Sequence, residues 1–203
     1  MNSIHFKYVI PQVFASREQQ DSEIWQQDVV FEKGRVYLVE ADSGKGKSTF
    51  CSYIQGYRND FSGQLFFDDI DVKSLKVKEW VAIRERHISL LFQELRLFPE
   101  LTAMENVEIK NKLTGFKSRS QIEEWFDMLG ISDKRDAKVG RLSFGQQQRV
   151  AMLRALVQPF DSSLPMNLSA IWMTAIPTLW VRYSWKRQSS KALASSLPVS
   201  AST

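Results

Sequence analysis

The chain has 203 residues, 43% hydrophobic and 25% charged, with a formal net charge of +4. This is a globular composition, long enough for one ordinary domain and its core, and it argues against a disordered chain. So small a net charge disfavours a dedicated nucleic-acid binder, and a single cysteine, Cys51, excludes an internal disulfide framework or a cysteine-rich metal site. Met1 to Phe14 carries only Lys7 before a short interrupted apolar stretch, so no signal peptide is expected. No stretch reaches the ~18 to 20 apolar residues of a membrane span, and a cytoplasmic chain is expected.

In chain order, Ile4 to Ile10 and Asp28 to Phe31 read as strands, and Gly34 opens a third, Val36 to Val39. A loop of small residues leads to a helix from Lys47 to about Tyr57, in which Cys51 reads as a small buried residue. Ser62-Gly63 reads as a turn before a short strand, Gln64 to Phe67. Val77 to Arg86 reads as a helix and Ile88 to Phe92 as a buried strand, with His87 a surface or packing histidine between them. Helices follow over Met104 to Lys112, over Ser120 to Leu129 after a serine cap, and from Ser143 to Val157. A β-rich front half with an inserted helical section predicts an α/β domain over residues 1–160 carrying a helical subdomain at about 94–145.

The loop after the third strand carries the chemistry. Ala41-Asp42-Ser43-Gly44-Lys45-Gly46-Lys47-Ser48-Thr49 fits the phosphate-loop pattern G-x-x-x-x-G-K-[ST], with Ala41 in place of the first glycine. Small residues let backbone N–H groups curl around a phosphate, and the start of the following helix adds partial positive charge. Lys47 is placed to reach the terminal phosphates of a nucleotide and the Ser48 hydroxyl to ligate Mg²⁺. A Gly-Ser-Lys surface turn is the alternative reading, which the preceding strand and following helix disfavour.

A second motif, Leu142-Ser143-Phe144-Gly145-Gln146-Gln147-Gln148-Arg149, opens the last helix; read alone it is a serine-capped helix start suited to an anion. It resembles the LSGGQ signature of ATP-binding cassette (ABC) proteins, with Phe144 replacing the first glycine. Ile88 to Gln93 resembles that family's strand ending in the Q-loop glutamine, and Leu97-Phe98-Pro99-Glu100-Leu101-Thr102 the stretch that opens its helical subdomain. Ser62 to Asp69 resembles its hairpin, with Asp69 where glycine is usual. The resemblance covers about residues 4–160 and extends to bacterial importer- and exporter-type cassettes, lipoprotein-release and macrolide-efflux systems included.

The resemblance implies a RecA-like core with an antiparallel β subdomain and an inserted helical subdomain, binding MgATP. It implies that Gln93 touches Mg²⁺ and couples the site to a transmembrane permease. It implies that Ser143, Gly145 and Gln146 of one subunit cover the ATP held by a second, in a homodimer or a paired ATPase, at the inner face of the cell membrane. An aromatic residue stacks on adenine in this family; Phe14, 33 positions before Lys47, suits that role, with Tyr8 the competitor and a packed core ring the plainer reading.

The composition changes after Phe160. From Asp161 to Thr203 there are ten serines, three of the six tryptophans, one acid (Asp161) and four bases, and no glycine or glutamate. The Asp-Glu pair, the loop after it and the switch histidine that ABC hydrolysis requires are missing, since His5 and His87 both precede the signature. Reading Pro165 to Thr174 from the third base of each codon offers a reason. Met166 and Asn167 then force a glutamate, Trp172 forces Leu or Met, and the codons of Trp172 to Thr174 force Asp-Asp. The shifted frame permits Asp-Glu-Pro-Phe-Ser-His-Leu-Asp-Asp after an apolar run such as Phe-Leu-Leu-Ala. Residues 161–203 are therefore expected to be an aberrant, frameshifted and disordered tail, Asp161 to Ile171 a poor strand broken by Pro165, and the cassette incomplete at its C-terminal side. Two readings compete with an ATPase subunit: a non-hydrolysing nucleotide-binding fragment, and a basic-tailed module for membrane or nucleic acid, which Pro165, Pro177 and Pro198 disfavour.

Overall fold

The computed structural model describes residues 1–16, 22–33, 35, 37–40, 44–92, 94–165 and 179–184. Strands β1 (Ser3–Pro11), β2 (Asp28–Glu32), β4 (Phe61–Phe67) and β5 (Ile70–Asp71) form an antiparallel sheet in the order β2-β1-β4-β5. Strands β3 (Tyr37–Glu40), β6 (Ile88–Leu91), β7 (Ser162–Pro165) and β8 (Leu179–Ser184) form a parallel sheet in the order β3-β8-β7-β6. Helix α1 (Lys47–Ile54) follows β3, and α2 (Val77–Arg86) precedes β6. Helices α3 (Ala103–Asn111) and α4 (Arg119–Met128) form the inserted helical section, and α5 (Phe144–Leu156) returns the chain to β7.

Three apolar cores hold these layers. The first is aromatic: Phe6, Phe31, Phe50, Tyr53 and Trp25 meet between the antiparallel sheet and α1, with Phe6 and Phe50 stacked at 4.9 Å. The second lies in the helical section, where Val107, Ile122, Phe126, Ile131 and Val139 pack against Val150, Leu153 and Val157 near or on α5. The third joins α5 to β6 through Leu91, Leu95, Ala151, Met152 and Leu156. Helix α5 is therefore shared between the helical section and the parallel sheet. Ser89 donates to the Ala155 carbonyl at 2.6 Å, and the buried Gln158 amide donates to the Ile88 and Arg84 carbonyls at 2.9 and 3.1 Å. These buried polar bonds fix the axial position of α5 against β6.

Four expectations change. Gly63 lies inside β4 rather than in a turn: its φ of +80° faces a bulge in β1, where a Cβ would fall 2.2 Å from the Tyr8 carbonyl oxygen. The hairpin after β4 puts its left-handed residue at Asp68, φ 51°, so Asp69 does not need to be glycine. Asp68 also accepts from the Asn2 and Ser3 amides at 2.7 and 2.8 Å. Helix α1 ends at Ile54, where Gly56 adopts φ +66° under the Trp80 ring, rather than running to Tyr57. Finally, the segment after Asp161 contains strands: β7 pairs in parallel with β6 from Ile88↔Ser162 to Leu91↔Pro165, and with β8 on its other side. Pro165 is tolerated because it is the last residue of β7. The rest of the shifted-frame segment, 166–174, lies outside the described residues.

Candidate functional site

All four strands of the parallel sheet run the same way, so β3, β6 and β7 end on one edge. That edge leads from Glu40 into the 41–49 loop, from Leu91 toward position 93, and from Pro165 onward. Ligands of open parallel sheets bind outside the carboxyl ends of the strands. Ala41, Asp42, Ser43 and Gln93 lie outside the described residues.

The start of α1 is built differently from those of α3, α4 and α5. Its cap is Gly46, φ 96° and ψ 14°, and no side chain caps the first turn. By contrast, Thr102, Ser118 and Ser143 each cap α3, α4 and α5 and are answered by Glu105, Gln121 and Gln146. Gly44 is also left-handed, at φ 80°, in open space. Gly46 is not in open space: a Cβ there would lie 2.9 Å from Phe14 and 3.0 Å from the Trp25 indole nitrogen. Two aromatic rings thus form a floor beneath the loop. Phe14 is 5% exposed and tilted against Trp25 at 6.4 Å, in a one-turn 3-10 helix following Pro11. The ring is turned inward as a wall of the loop, the packed placement rather than an open face for adenine. Tyr8, the competing aromatic, is 57% exposed at the β1 bulge.

Lys47 opens α1, half-buried, and Ser48 beside it is exposed. Thr49 is turned inward, where its hydroxyl accepts from Arg58 at 3.4 Å. Arg58 is itself paired to Asp60, which holds the Asp60 carboxyl below the usual range. Tyr53 donates to the Asp60 carbonyl at 2.9 Å, and burial, with Asp60 nearby, pushes its hydroxyl up to about 12. Thr49 therefore supports α1 from behind, and Cys51 is buried as well. Among the described residues no group of three His, Cys, Asp or Glu side chains could hold a metal ion. The donor set is an ammonium, a glycine-capped helix start and a hydroxyl. It suits a polyphosphate and a Mg²⁺ that shares the phosphate oxygens.

The second motif is closed on itself. Ser143 accepts from the Gln146 amide at 3.3 Å, and Gln146 accepts from the Ser143 amide at 2.9 Å. Gly145 has open space around it, and Phe144 is 65% exposed beside it. The Gln147 side chain donates to the Val139 and Leu142 carbonyls, both at 3.1 Å, binding the segment before α5 to its first turn. Deeper in α5, Arg154 donates to the Arg96 and Leu95 carbonyls at 2.7 and 2.6 Å. Leu95 and Arg96 both have positive φ, so Arg154 holds a strained turn two residues past position 93. Asn106, fully buried, plays a similar part for Phe98 to Thr102, exchanging bonds with Phe98 at 2.8 and 3.0 Å.

The only carboxylate after the signature, Asp161, is far from this edge. It precedes β7, at the opposite end of the strand, and is bound by the Met1 amine at 2.9 Å, Lys33 at 2.5 Å and His87 at 2.5 Å. Burial raises its pKa, but these three partners outweigh that and hold the carboxyl well below the usual range. His87 is accordingly a packing residue here. Sequence reasoning missed Trp25, Arg154 and the Asp161 cluster, all defined by contacts between distant segments.

A family model described as ABC transporter matches residues 26–162. The chain is 37% identical over 128 residues to the ABC transporter ATP-binding protein YtrE of Bacillus subtilis, covering 62% of this chain and 55% of that protein. It is 35% identical over 129 residues to the lipoprotein-releasing system ATP-binding protein LolD of Colwellia psychrerythraea, covering 62% and 50%. The chain thus spans about half the length of these curated relatives. Among solved structures, the dimeric bacterial ABC transporter cassette MJ0796 superposes with a TM-score of 0.66 at 29% identity, over 80% of this chain and 72% of that one. The same cassette in a post-hydrolysis state bound to ADP and Pi gives 0.65 at 28% identity, with the same coverage.

Proposed function

The chain belongs to the ABC transporter family of ATP-binding cassettes, and from that premise we propose that it binds MgATP through the 41–49 loop without hydrolysing it at an appreciable rate. The observation that carries the binding half is the start of α1: a glycine-capped, otherwise uncapped helix, opened by Lys47 and Ser48, at the carboxyl edge of a parallel sheet. In this reading Lys47 takes the terminal phosphates, and the helix-start amides take the phosphate before them. Ser48 and Gln93 would hold a Mg²⁺ brought by the nucleotide, which would supply charge neutralisation on the phosphates. Ala41, Asp42, Ser43, Gly44, Lys45 and Gly46 wrap the phosphates. Phe14 contributes by backing the loop.

The hydrolytic half fails for want of a part. Water attack on the terminal phosphate needs a carboxylate to orient the water. Asp161 is the sole acid after the signature, and it is tied to Met1, Lys33 and His87 at the wrong end of β7. The shifted frame would supply the missing pair. Its apolar run falls on β7, a strand with neighbours on both sides, and its Asp-Glu falls directly after the position where Pro165 pairs with Leu91. We therefore read the sequence beyond Asp161 as out of frame. The frame-restored protein is the hydrolysing subunit, working with a transmembrane permease at the inner face of the cell membrane and pairing with a second cassette. The same arrangement favours the non-hydrolysing fragment as the description of this chain. Titration of the 203-residue chain with MgATP and MgADP, alongside Lys47→Ala, tests the reading. Binding in the parent that is lost in the variant is expected, and equal affinity in both would refute it.

A further inference from the structure

Trp25 belongs to no motif, yet its side chain bonds directly to the backbone of the phosphate loop. Its indole N–H donates to the Lys45 carbonyl at 3.2 Å, and its ring edge closes on Gly46. The ring is 6% exposed and fixed by edge contacts with Phe6 at 6.2 Å, Tyr53 at 6.1 Å and Phe50 at 6.4 Å. The Lys45 carbonyl and the Gly46 N–H belong to one peptide unit. In a planar trans peptide they point in opposite directions. Anchoring the carbonyl to the aromatic floor therefore turns the Gly46 N–H away from the floor, toward the side on which the proposed phosphate would lie. Glycine at 46 is required for the same reason, since its φ is +96° and a Cβ would strike Phe14 and Trp25.

We infer that Trp25 is a positioning residue that presets the Lys45–Gly46 peptide for phosphate. This rests on the reading that the 41–49 loop binds a nucleotide. The bond also removes an orientation that the loop would otherwise have to lose on binding.

The test uses the full 203-residue chain with Trp25→Phe, which keeps an aromatic ring but no donor, and with benzothienylalanine at position 25, which keeps the shape of Trp and replaces N–H by sulfur. Two quantities are read: amide exchange of the 44–50 segment without ligand, and the dissociation constants of MgATP and MgADP. In both variants, loss of one hydrogen bond is expected to raise exchange at 44–50 and weaken both nucleotides by about three- to tenfold, leaving exchange in 144–156 near the parent's, and the shape-preserving benzothienylalanine protein is expected to keep a ligand-free melting temperature near the parent's as well. Restored affinity with 5-fluorotryptophan, which keeps the N–H, is also expected. Parental exchange and affinity in the benzothienylalanine protein would overturn the inference, as would a loss of protection spread evenly over both segments. If the parent binds no nucleotide, the functional reading fails, while the exchange comparison still decides whether Trp25 holds the peptide.

Discussion

The two helix starts that carry the two motifs are built in opposite ways. At α1 the cap is a glycine in the left-handed region, no side chain satisfies the first turn, and two buried aromatic rings lie beneath. At α5 a serine and a glutamine close the turn reciprocally, and the neighbouring Phe144 faces solvent. A helix start without a side-chain cap leaves backbone amides for a ligand, whereas a capping box satisfies two of them within the chain. The difference leaves the first turn of α1 without a side-chain cap, as its proposed phosphate role requires. The start of α5 satisfies its first turn within the chain.

The largest effect that can break this contrast is at Lys47. Lys47→Ala is expected to weaken MgATP and MgADP binding by roughly a hundredfold, since a charge-assisted contact to phosphate is lost. Calorimetric titration checks it, and a change under threefold would mean that α1 is not the phosphate site. Next comes the far end of the same sheet. Asp161→Asn is expected to cost about 2 to 3 kcal/mol at neutral pH, since a largely buried carboxylate loses its ion pairs with the Met1 amine and Lys33 and weakens its bond to His87. The depressed pKa fixes the sign: the carboxylate's contribution is complete above the ordinary carboxylate range and fades as pH falls through its folded value. Parent and variant stabilities, measured by urea unfolding, should therefore converge only at strongly acid pH. The smallest effect belongs to α5. Ser143→Ala is expected to lower stability by about 1 kcal/mol through loss of the cap, without changing the affinity of a single chain for MgATP. A large loss of monomer affinity would place α5 inside the same site as α1 and erase the contrast.

Much of this was legible in the sequence, for physical reasons that differ by region. The serine caps before α4 and α5 are local, and α3, α4 and α5 begin within a residue or two of where the sequence places them. The phosphate loop is equally local, a run of small residues between a strand and a helix. What stayed hidden depends on segments far apart in the chain. Trp25 meets Lys45 across 20 positions, Arg154 meets Leu95 across 59, and Asp161 meets Met1 across 160. Gly63 misled because its left-handed conformation, usual for a turn, here accommodates a bulge in the neighbouring strand. Strand β7 misled because serine and proline carry little strand preference, and its pairing comes from the sheet position it occupies between β6 and β8.

The central claim is that this chain holds MgATP at α1 and lacks the carboxylate that would split it. It is tested most directly by measuring MgATP turnover and binding in the 203-residue chain beside a version with the shifted frame restored after Asp161. The account predicts comparable nucleotide binding by single chains and turnover in the 203-residue form lower by about a hundredfold or more, as expected when a water-orienting group is removed. Equal turnover by the two proteins would contradict it and make the segment after Asp161 a working part of the catalytic site.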